Sequence, residues 1–153
     1  MSYTYRYPRP AVTADIIVTD FRDSPGKILL IQRKHEPFKE MWALPGGFMN
    51  MDETLEEAAM RELKEETGIE ADRLVKFDTY DRPGRDPRGR TVTQVFVLKW
   101  RPELGHPSAG DDAKNERWFA VNDLPPLAFD HDEVIADFLP LLKRECQGPS
   151  SVD

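Results

Sequence analysis

Long apolar runs and net positive charge are missing from this sequence, and it has only one cysteine; each of these features excludes a class of protein. Unbroken apolar runs are short, as in Ile28–Ile31, whereas a membrane-spanning helix needs about 20 apolar residues. The first residues, MSYTYRYPRP, lack the apolar core of a signal peptide. The single cysteine, Cys146, excludes an internal disulfide. We therefore expect a cytoplasmic protein with no membrane partner.

The net charge is −7, with 21 Lys and Arg residues against 28 Asp and Glu residues. This balance argues against nucleic-acid or membrane binding that is driven by charge alone. It still allows a small anionic ligand, which a metal ion and a few arginines can hold. The chain has 153 residues, 39% of them hydrophobic, which predicts one globular domain over residues 1–153 with a flexible tail from about residue 147.

Alternating and β-branched segments predict a sheet, and two segments with helical periodicity predict helices beside it. We expect Asp52 or Glu53 to open the first helix and Gly68 to end it. The mixed order of strands and helices indicates an α/β (α+β) sandwich with a mixed β-sheet and flanking helices. The predicted strands are 11–20, 27–34, 41–48, 73–80, 91–100 and about 117–121, and the predicted helices are 54–67 and 130–142.

Three glutamates of the first predicted helix, Glu62, Glu65 and Glu66, are three and four residues apart and therefore share one face. A solvated helix face is the ordinary explanation for such residues. Here the acidic face borders the apolar stripe, like charges at this spacing repel each other, and we expect Arg61 and Lys64 to project away from them. Clustered carboxylates suit Mg²⁺ or Mn²⁺. The sequence therefore favours a metal site over a solvated face.

Residues 47–69, GFMNMDETLEEAAMRELKEETGI, resemble the Nudix box at every defined position. Those positions are Gly47, Glu53 and the run RELKEETGI over 61–69. The flanking strands also follow the Nudix order, so the resemblance extends over most of the chain. It implies a Nudix fold and a hydrolase that uses divalent metal ions to cleave a nucleoside diphosphate linked to another moiety.

The resemblance also implies which atoms hold the metal. Glu62 and Glu66 look like the principal ligands, and Glu65 looks like their support. The backbone carbonyl of Gly46 or Gly47 would add a further oxygen.

Two other roles follow from the resemblance. Arg61 and Glu53 resemble the pair that orients the catalytic glutamates. The family often takes its general base from an acid outside the box, and the sequence leaves that choice open. The candidates are Asp111, Asp112 and Glu116, with Glu65 inside the box as their rival.

The loop after the box bears on the substrate. Pro83 and the segment LAFDH (127–131) resemble markers of the ADP-ribose pyrophosphatase branch of the family, although a hairpin turn would also contain Pro and Gly. Guanidinium groups grip phosphate and ribose oxygens in bidentate fashion. We expect some of the loop arginines to bind substrate, and these are Arg82, Arg85, Arg88 and Arg90.

Aromatic residues are candidates for stacking on adenine. Phe129 is the leading one because it lies in LAFDH, ahead of Trp42 and Phe38. His131 is expected to cap or orient the last helix instead of binding metal, since no second histidine lies nearby.

The leading functional hypothesis is Mg²⁺- or Mn²⁺-dependent hydrolysis of ADP-ribose to AMP and ribose 5-phosphate. A second hypothesis is another Nudix substrate, such as an oxidised nucleoside triphosphate, a dinucleotide or a nucleotide sugar. A third is a non-catalytic ADP-ribose sensor, like the Nudix half of certain transcription repressors, but the intact glutamates and the negative charge favour turnover. By family analogy the arm TYRYPRPAV could exchange between the subunits of a homodimer.

Overall fold

The computed structural model describes residues 2–107 and 113–152, and the side chains of residues 2–107 and 115–142. Within that part, seven strands form one sheet between two helices. The strands are β1 (Ala11–Asp20), β2 (Lys27–Arg33), β3 (Trp42–Ala43), β4 (Gly46–Phe48), β5 (Val75–Tyr80), β6 (Thr91–Lys99) and β7 (Ala113–Ala120). The helices are α1 (Leu55–Thr67) and α2 (His131–Val152).

Strand β1 lies at the centre of the sheet. It pairs in parallel with β6, from Ala11 opposite Thr91 to Thr19 opposite Lys99, and antiparallel with β2 and β4. Strands β3 and β7 both pair with β2, and β5 closes the far edge against β6. The predicted mixed sheet is therefore confirmed.

The period of two along β1 divides the core between the two helices. Ile16 and Val18 belong to the buried cluster that contains Leu63 of α1, whereas Ile17 belongs to the cluster that contains Ile135 of α2. The sheet thus forms the middle of a sandwich with one helix on each face. The predicted α/β sandwich is confirmed.

Both ends of α1 carry specific caps. Thr54, and neither Asp52 nor Glu53, is the N-cap: its hydroxyl accepts from the Glu57 backbone N–H, and the Glu57 carboxylate accepts from the Thr54 N–H. This reciprocal capping box displaces the predicted start. Gly68 ends the helix at φ 80°, as predicted, because its left-handed backbone suits a residue without Cβ.

Other boundaries differ from the sequence prediction. The predicted strand 41–48 is divided into β3 and β4 by Leu44 and Pro45, and β7 begins earlier than residue 117. Helix α2 continues to Val152, beyond the predicted end at residue 142. The flexibility of the last residues stays a prediction. Among the described residues, no helix has the length and apolar character to cross a membrane.

Candidate active site

Strand β4 brings its backbone against two glutamates of α1. The Gly46 N–H donates to Glu66 Oε1 at 2.8 Å, and Glu66 is only 5% exposed. A Cβ placed on Gly47 would lie 2.7 Å from the carboxyl carbon of Glu62. Only a residue without Cβ can bring the backbone this close to the Glu62 carboxylate, and this explains why the box begins with a glycine.

Gly46 is fixed from its other side by β1. A Cβ on Gly46 would lie 2.1 Å from Asp15 Oδ1, and the residue has φ 153°, which side chains rarely adopt. The β4 backbone therefore packs closely against both β1 and α1. This packing fixes the positions of Glu62 and Glu66 relative to β4.

Arg61 joins the acidic side chains of the box into one network. Its Nη2 lies 2.7 Å from Glu53 Oε1, and its Nη1 lies 2.8 Å from Glu62 Oε1 and 3.3 Å from Glu65 Oε2. Nη2 also donates to the Phe48 carbonyl at 3.0 Å. The expectation that Arg61 projects away from the glutamates is wrong, because the long side chain folds back along the helix surface.

The charges in this network favour each other's ionised forms. The hydrogen bonds from Arg61 lower the pKa of Glu53, and the bonds to Glu53 and Glu62 raise the pKa of Arg61. The Glu53–Arg61 pair thus has the geometry expected for orienting Glu62. Its role in catalysis stays a prediction.

The three box glutamates differ in their surroundings. Glu66 is buried, Glu62 is half-buried, and the Glu65 side chain is 45% exposed. Within the described part of the chain, no group of three His, Cys, Asp or Glu side chains stands ready to hold a metal ion. The donors that are present do suit a hard cation, since two carboxylates and the Gly47 backbone lie together and all offer oxygen.

Beside Glu66 and the two glycines lies a cleft of about 550 Å³, a volume that includes its open mouth. Its wall combines three arginines with acidic and aromatic side chains. The charged and aromatic lining residues are Asp15, Arg33, Phe48, Glu66, Arg85, Asp86, Arg88, Phe129 and His131. A cleft of this chemistry suits an anionic ligand with a planar group.

Arg85, one of the predicted substrate arginines, is bound to the protein itself. Its Nε and Nη2 each lie 2.9 Å from the carboxylate of Asp130, and its Nη1 donates to Thr93 Oγ1 at 2.7 Å. The Arg85 and Asp130 side chains are 3% and 8% exposed. The pair ties the loop after β5 to the start of α2 and forms part of the cleft wall.

Arg88 lies nearer the cleft mouth. Its Nη2 is 2.8 Å from Asp86 Oδ2, and its guanidinium lies 4.7 Å from the ring centre of Phe48 and 5.0 Å from that of Phe129. Burial opposes ionisation of Asp86, but the hydrogen bonds from Arg88 outweigh it and lower the pKa of Asp86. Two loop arginines, Arg85 and Arg88, therefore line the cleft.

The other loop residues lie outside the cleft lining. Arg82 is exposed and forms an ion pair with Glu133 at 3.2 Å. Arg90 is exposed and donates to the Asp81 carbonyl, and Pro83 is exposed. Substrate contacts by these three residues stay predictions.

Phe129 stands in the cleft with a left-handed backbone at φ 54°. Phe38, at φ 61°, meets it edge-on with the ring centres 4.8 Å apart. Non-glycine residues in this conformation are strained, and such strain gathers at ligand sites. Trp42 packs instead against Phe119 at 4.9 Å and does not line the cleft.

His131 connects α2 to the strands behind the cleft. Its Nδ1 accepts from the Leu44 N–H at 3.0 Å, and its Nε2 lies 3.2 Å from Asp15 Oδ2. A ring that accepts at one nitrogen and donates at the other has no lone pair left for a metal. The contacts agree with the orienting role expected from the sequence.

Of the general-base candidates outside the box, Glu116 can be located. Glu116 lies on β7 opposite Ile31, and its Oε2 is buried without a hydrogen-bond partner among the described residues. Burial raises the pKa of Glu116. Asp111 and Asp112 lie outside the described residues, so the choice of base remains open.

Comparison with known proteins identifies the family of this chain. A family model for the NUDIX domain matches residues 9–141, most of the chain. The protein belongs to the Nudix family. The predicted resemblance is confirmed.

Individual Nudix relatives agree over most of the chain. An ADP-ribose pyrophosphatase of Methanocaldococcus jannaschii is 47% identical over 133 residues, which cover 87% of this chain and 75% of that protein. An ADPR-responsive transcriptional repressor of Acinetobacter baylyi is 32% identical over 84% of this chain. The match spans about half of the repressor, 53% of its length. The predicted class of enzyme, a Nudix pyrophosphohydrolase, is confirmed.

A solved Nudix structure is similar as well. The NUDIX domain of Shewanella oneidensis NrtR, crystallised with ADP ribose, superimposes with a TM-score of 0.80 at 29% identity. The match covers 89% of this chain and 90% of that one. The fold assignment thus rests on sequence and structure together.

Three charged residues that line the Nudix cleft were not predicted from the sequence, namely Asp15, Arg33 and Asp86. Neither was the pairing of Asp130 with Arg85. Asp15 carried a signal, since it interrupts the apolar strand AVTADIIVTD at a position that must be buried. Arg33 carried none, because an arginine at the end of a strand is often solvated. Asp130 lies in LAFDH, but its partner Arg85 is distant in sequence.

Proposed function

We propose that this protein hydrolyses ADP-ribose to AMP and ribose 5-phosphate with Mg²⁺ or Mn²⁺. The proposal is carried by one juxtaposition: the buried Glu66 of the Nudix box shares a cleft with arginines and a strained aromatic residue. The 47% identical relative supports the choice of ADP-ribose. ADP-ribose has two phosphates for the guanidinium groups and an adenine for the ring.

Glu62 and Glu66 would hold the metal together with the backbone of Gly47, and Glu65 would join them. When bound, the ion would supply positive charge that offsets the charge of the diphosphate. Arg61, itself held by Glu53, keeps the Glu62 carboxylate in place. The Gly46 N–H does the same for Glu66.

Hydrolysis breaks one phosphoanhydride P–O bond as a water oxygen bonds to phosphorus. The protein must accept a proton from that water, and we propose an acid for this step. Glu116 is suited by its raised pKa, because a base that ionises closer to neutral pH binds a proton more firmly. Asp112 and Glu65 are the alternatives.

The remaining cleft residues would bind the rest of the substrate. Phe129 offers its ring to adenine, and Arg88 offers its guanidinium to phosphate. Arg85 contributes by holding the wall of the cleft through Asp130. Arg82, Pro83 and Arg90 would contact only a part of the substrate that extends beyond the cleft.

Release of AMP from ADP-ribose, followed by chromatography with Mg²⁺, with Mn²⁺ and with EDTA, tests the proposal. We expect EDTA to abolish turnover and Glu66→Gln to lower kcat at least about 100-fold, with thermal unfolding close to the wild type because the amide oxygen can still accept from Gly46. Glu70→Gln is the matched control, since Glu70 is exposed and pairs with the exposed Lys64. Full activity in Glu66→Gln, or none in the wild type with either metal, contradicts the proposal.

A second Nudix substrate is the alternative within the family. Comparing kcat/KM for ADP-ribose, an oxidised nucleoside triphosphate, a dinucleotide and a nucleotide sugar decides between them. A sensor would instead bind ADP-ribose tightly and release no AMP, and the similarity to a repressor is the observation that favours it.

We also propose a homodimer in the cytoplasm, on the analogy with family members. The side chains of Tyr3, Tyr5 and Tyr7 in the N-terminal arm are exposed, and a second subunit would bury their apolar surface. The mass in solution tests the dimer. A monomeric mass removes it.

A further inference from the structure

The segment that leads into β4 connects a residue outside the Nudix box to a glutamate inside it. The Leu44 N–H donates to His131 Nδ1 at 3.0 Å. Two residues further along, the Gly46 N–H donates to Glu66 Oε1 at 2.8 Å. The position of the buried Glu66 carboxylate therefore depends on how residues 44–46 are held.

Asp15 occupies the place that a side chain would take at Gly46. The two residues are paired across β1 and β4, and a Cβ on Gly46 would lie 2.1 Å from Asp15 Oδ1. The other carboxylate oxygen of Asp15, Oδ2, lies 3.2 Å from His131 Nε2. Asp15 thus contacts the β4 backbone directly, and it also contacts the ring that holds Leu44.

The Asp15 carboxylate also determines which nitrogen of His131 carries the proton. An ionised carboxylate can only accept, so the hydrogen bond requires a proton on Nε2. Nδ1 then keeps the lone pair that accepts from the Leu44 N–H. In the other tautomer two donors would face each other at Leu44, and that contact would be lost.

Packing alone does not explain an aspartate at this position. Asp15 and His131 are 8% and 5% exposed, and the neighbours of Asp15 in β1, Ala14 and Ile16, are fully buried. A carboxylate in such surroundings destabilises the fold unless other contacts offset its burial, whereas an apolar side chain would not. The contacts that Asp15 makes are those that fix the start of β4.

We propose that Asp15 is a positioning residue, which places Glu66 for metal binding directly through Gly46 and indirectly through His131. This assignment deepens the proposed function and rests on it for the reaction. It requires only that Glu66 helps to bind a divalent cation. The two buried carboxylates of the site are then held from opposite sides, Glu62 by the side chain of Arg61 and Glu66 through the backbone of β4.

Binding of Mn²⁺ alone, measured from the electron paramagnetic resonance signal of the free ion, tests the assignment. The proteins are the wild type, Asp15→Asn, Glu66→Gln and the control Asp20→Asn. The control removes the same charge from the other end of β1, where Asp20 pairs with Arg22. We expect Asp15→Asn to weaken Mn²⁺ binding about 10-fold, the effect of removing a group that supports a metal ligand, and Glu66→Gln to weaken it further. The control should bind Mn²⁺ like the wild type.

Two outcomes of the Mn²⁺ titration would overturn the proposal. Wild-type affinity in Asp15→Asn would mean that the position of Glu66 does not depend on Asp15. A loss in Asp15→Asn as large as that in Glu66→Gln would mean that Asp15 is itself a metal ligand.

Two variants of His131 test the route through the ring, and they decide the question even if Asp15→Asn does not fold. The side-chain oxygen of His131→Asn can replace Nδ1 as the acceptor for the Leu44 N–H. The longer side chain of His131→Gln places its amide near Nε2 and leaves Leu44 without that acceptor. We therefore expect His131→Asn to bind Mn²⁺ more tightly than His131→Gln, and equal affinities would overturn the proposal.

Steady-state kinetics and thermal unfolding separate positioning from a merely structural role. With a hydrolysed substrate, Asp15→Asn should lower kcat and raise the Mn²⁺ concentration at half-maximal rate, with little change in the KM for substrate. A lower Tm with wild-type kcat and Mn²⁺ affinity would mean that Asp15 only stabilises the fold, and this would overturn the proposal. A wild type whose Mn²⁺ binding depends on Asp15 and that does not cleave ADP-ribose would refute the proposed substrate and leave this assignment standing.

Discussion

At the scale of single residues, the arginines of the site differ in how many carboxylates contact them. Arg61 contacts three carboxylates within the network of the box, whereas Arg33 has no carboxylate partner in the described cleft. The same residue type thus has two different surroundings in one site. Arg61 lies among acids, whereas the guanidinium of Arg33 lies between the Pro37 carbonyl and the ring of Phe129.

Glu116 gives a prediction at this scale. Burial raises the pKa of Glu116 in the folded protein. Below the usual glutamate pKa the protonated carboxyl therefore does not lower the free energy of unfolding, and the loss of stability develops as the pH rises through the raised pKa. Glu116→Gln removes this titration. We expect the free energy of unfolding of the variant, relative to the wild type, to increase between pH 4 and pH 8.

Urea unfolding of both proteins over that pH range measures the difference. Glu103→Gln, at an exposed site, is the control and should show no such trend. A difference that stays constant with pH would mean that burial does not perturb Glu116. The loss of kcat in the same variant separately tests its role as base.

At the scale of elements, the cleft is held together by contacts between segments far apart in sequence. The Arg85–Asp130 pair joins the loop after β5 to α2, and His131 joins α2 to β1 and to the segment between β3 and β4. Phe129 directly precedes Asp130 and His131 in the chain. Its strained backbone is therefore maintained by the two anchors that follow it.

Breaking the buried ion pair between Arg85 and Asp130 should destabilise the fold. Removal of one partner leaves an uncompensated charge in the interior, so we expect Arg85→Met or Asp130→Leu to lower the free energy of unfolding by about 3–5 kcal/mol. The double variant leaves no lone charge and should recover much of that loss. Denaturant unfolding of the four proteins measures this, and a double variant that loses the sum of the two single effects would contradict the prediction.

Local patterns account for the elements that the sequence predicted well. The limits of β1 and the end of α1 at Gly68 follow from β-branching and cap chemistry, which neighbouring residues determine. The division of 41–48 and the course of Arg61 depend on contacts with β1, β2 and the β4 carbonyl of Phe48. The role of Arg85 could not be predicted for the same reason, since Asp130 approaches it only in the folded chain.

At the scale of the whole molecule, metal binding should stabilise the fold. A ligand that binds only the native state at 100 times its Kd adds about 2.7 kcal/mol, or roughly 5–10 °C in Tm for a domain of this size. We therefore expect Mg²⁺ to raise the Tm of the wild type, and EDTA to reverse the rise.

Scanning calorimetry of the wild type and of the double variant Glu62→Gln/Glu66→Gln measures this change in Tm. The measurement does not depend on activity. The double variant should show no rise with Mg²⁺, whereas Glu70→Gln should respond like the wild type. An equal rise in the double variant would place the metal elsewhere.

The central pairing of β1 with β6 has a consequence for how the protein is made. The two strands lie about eighty residues apart, as Thr13 and Thr93 are, so β1 leaves the ribosome about 4–16 s before its partner at ordinary rates of synthesis. During that interval only β2 and β4 can cover its edges, and the α1 helix has no complete sheet to pack on. The sheet that the acidic helix α1 packs on is thus completed late, when β6 arrives, and slow-translating codons between β1 and β6 would prolong the exposure of an apolar strand edge.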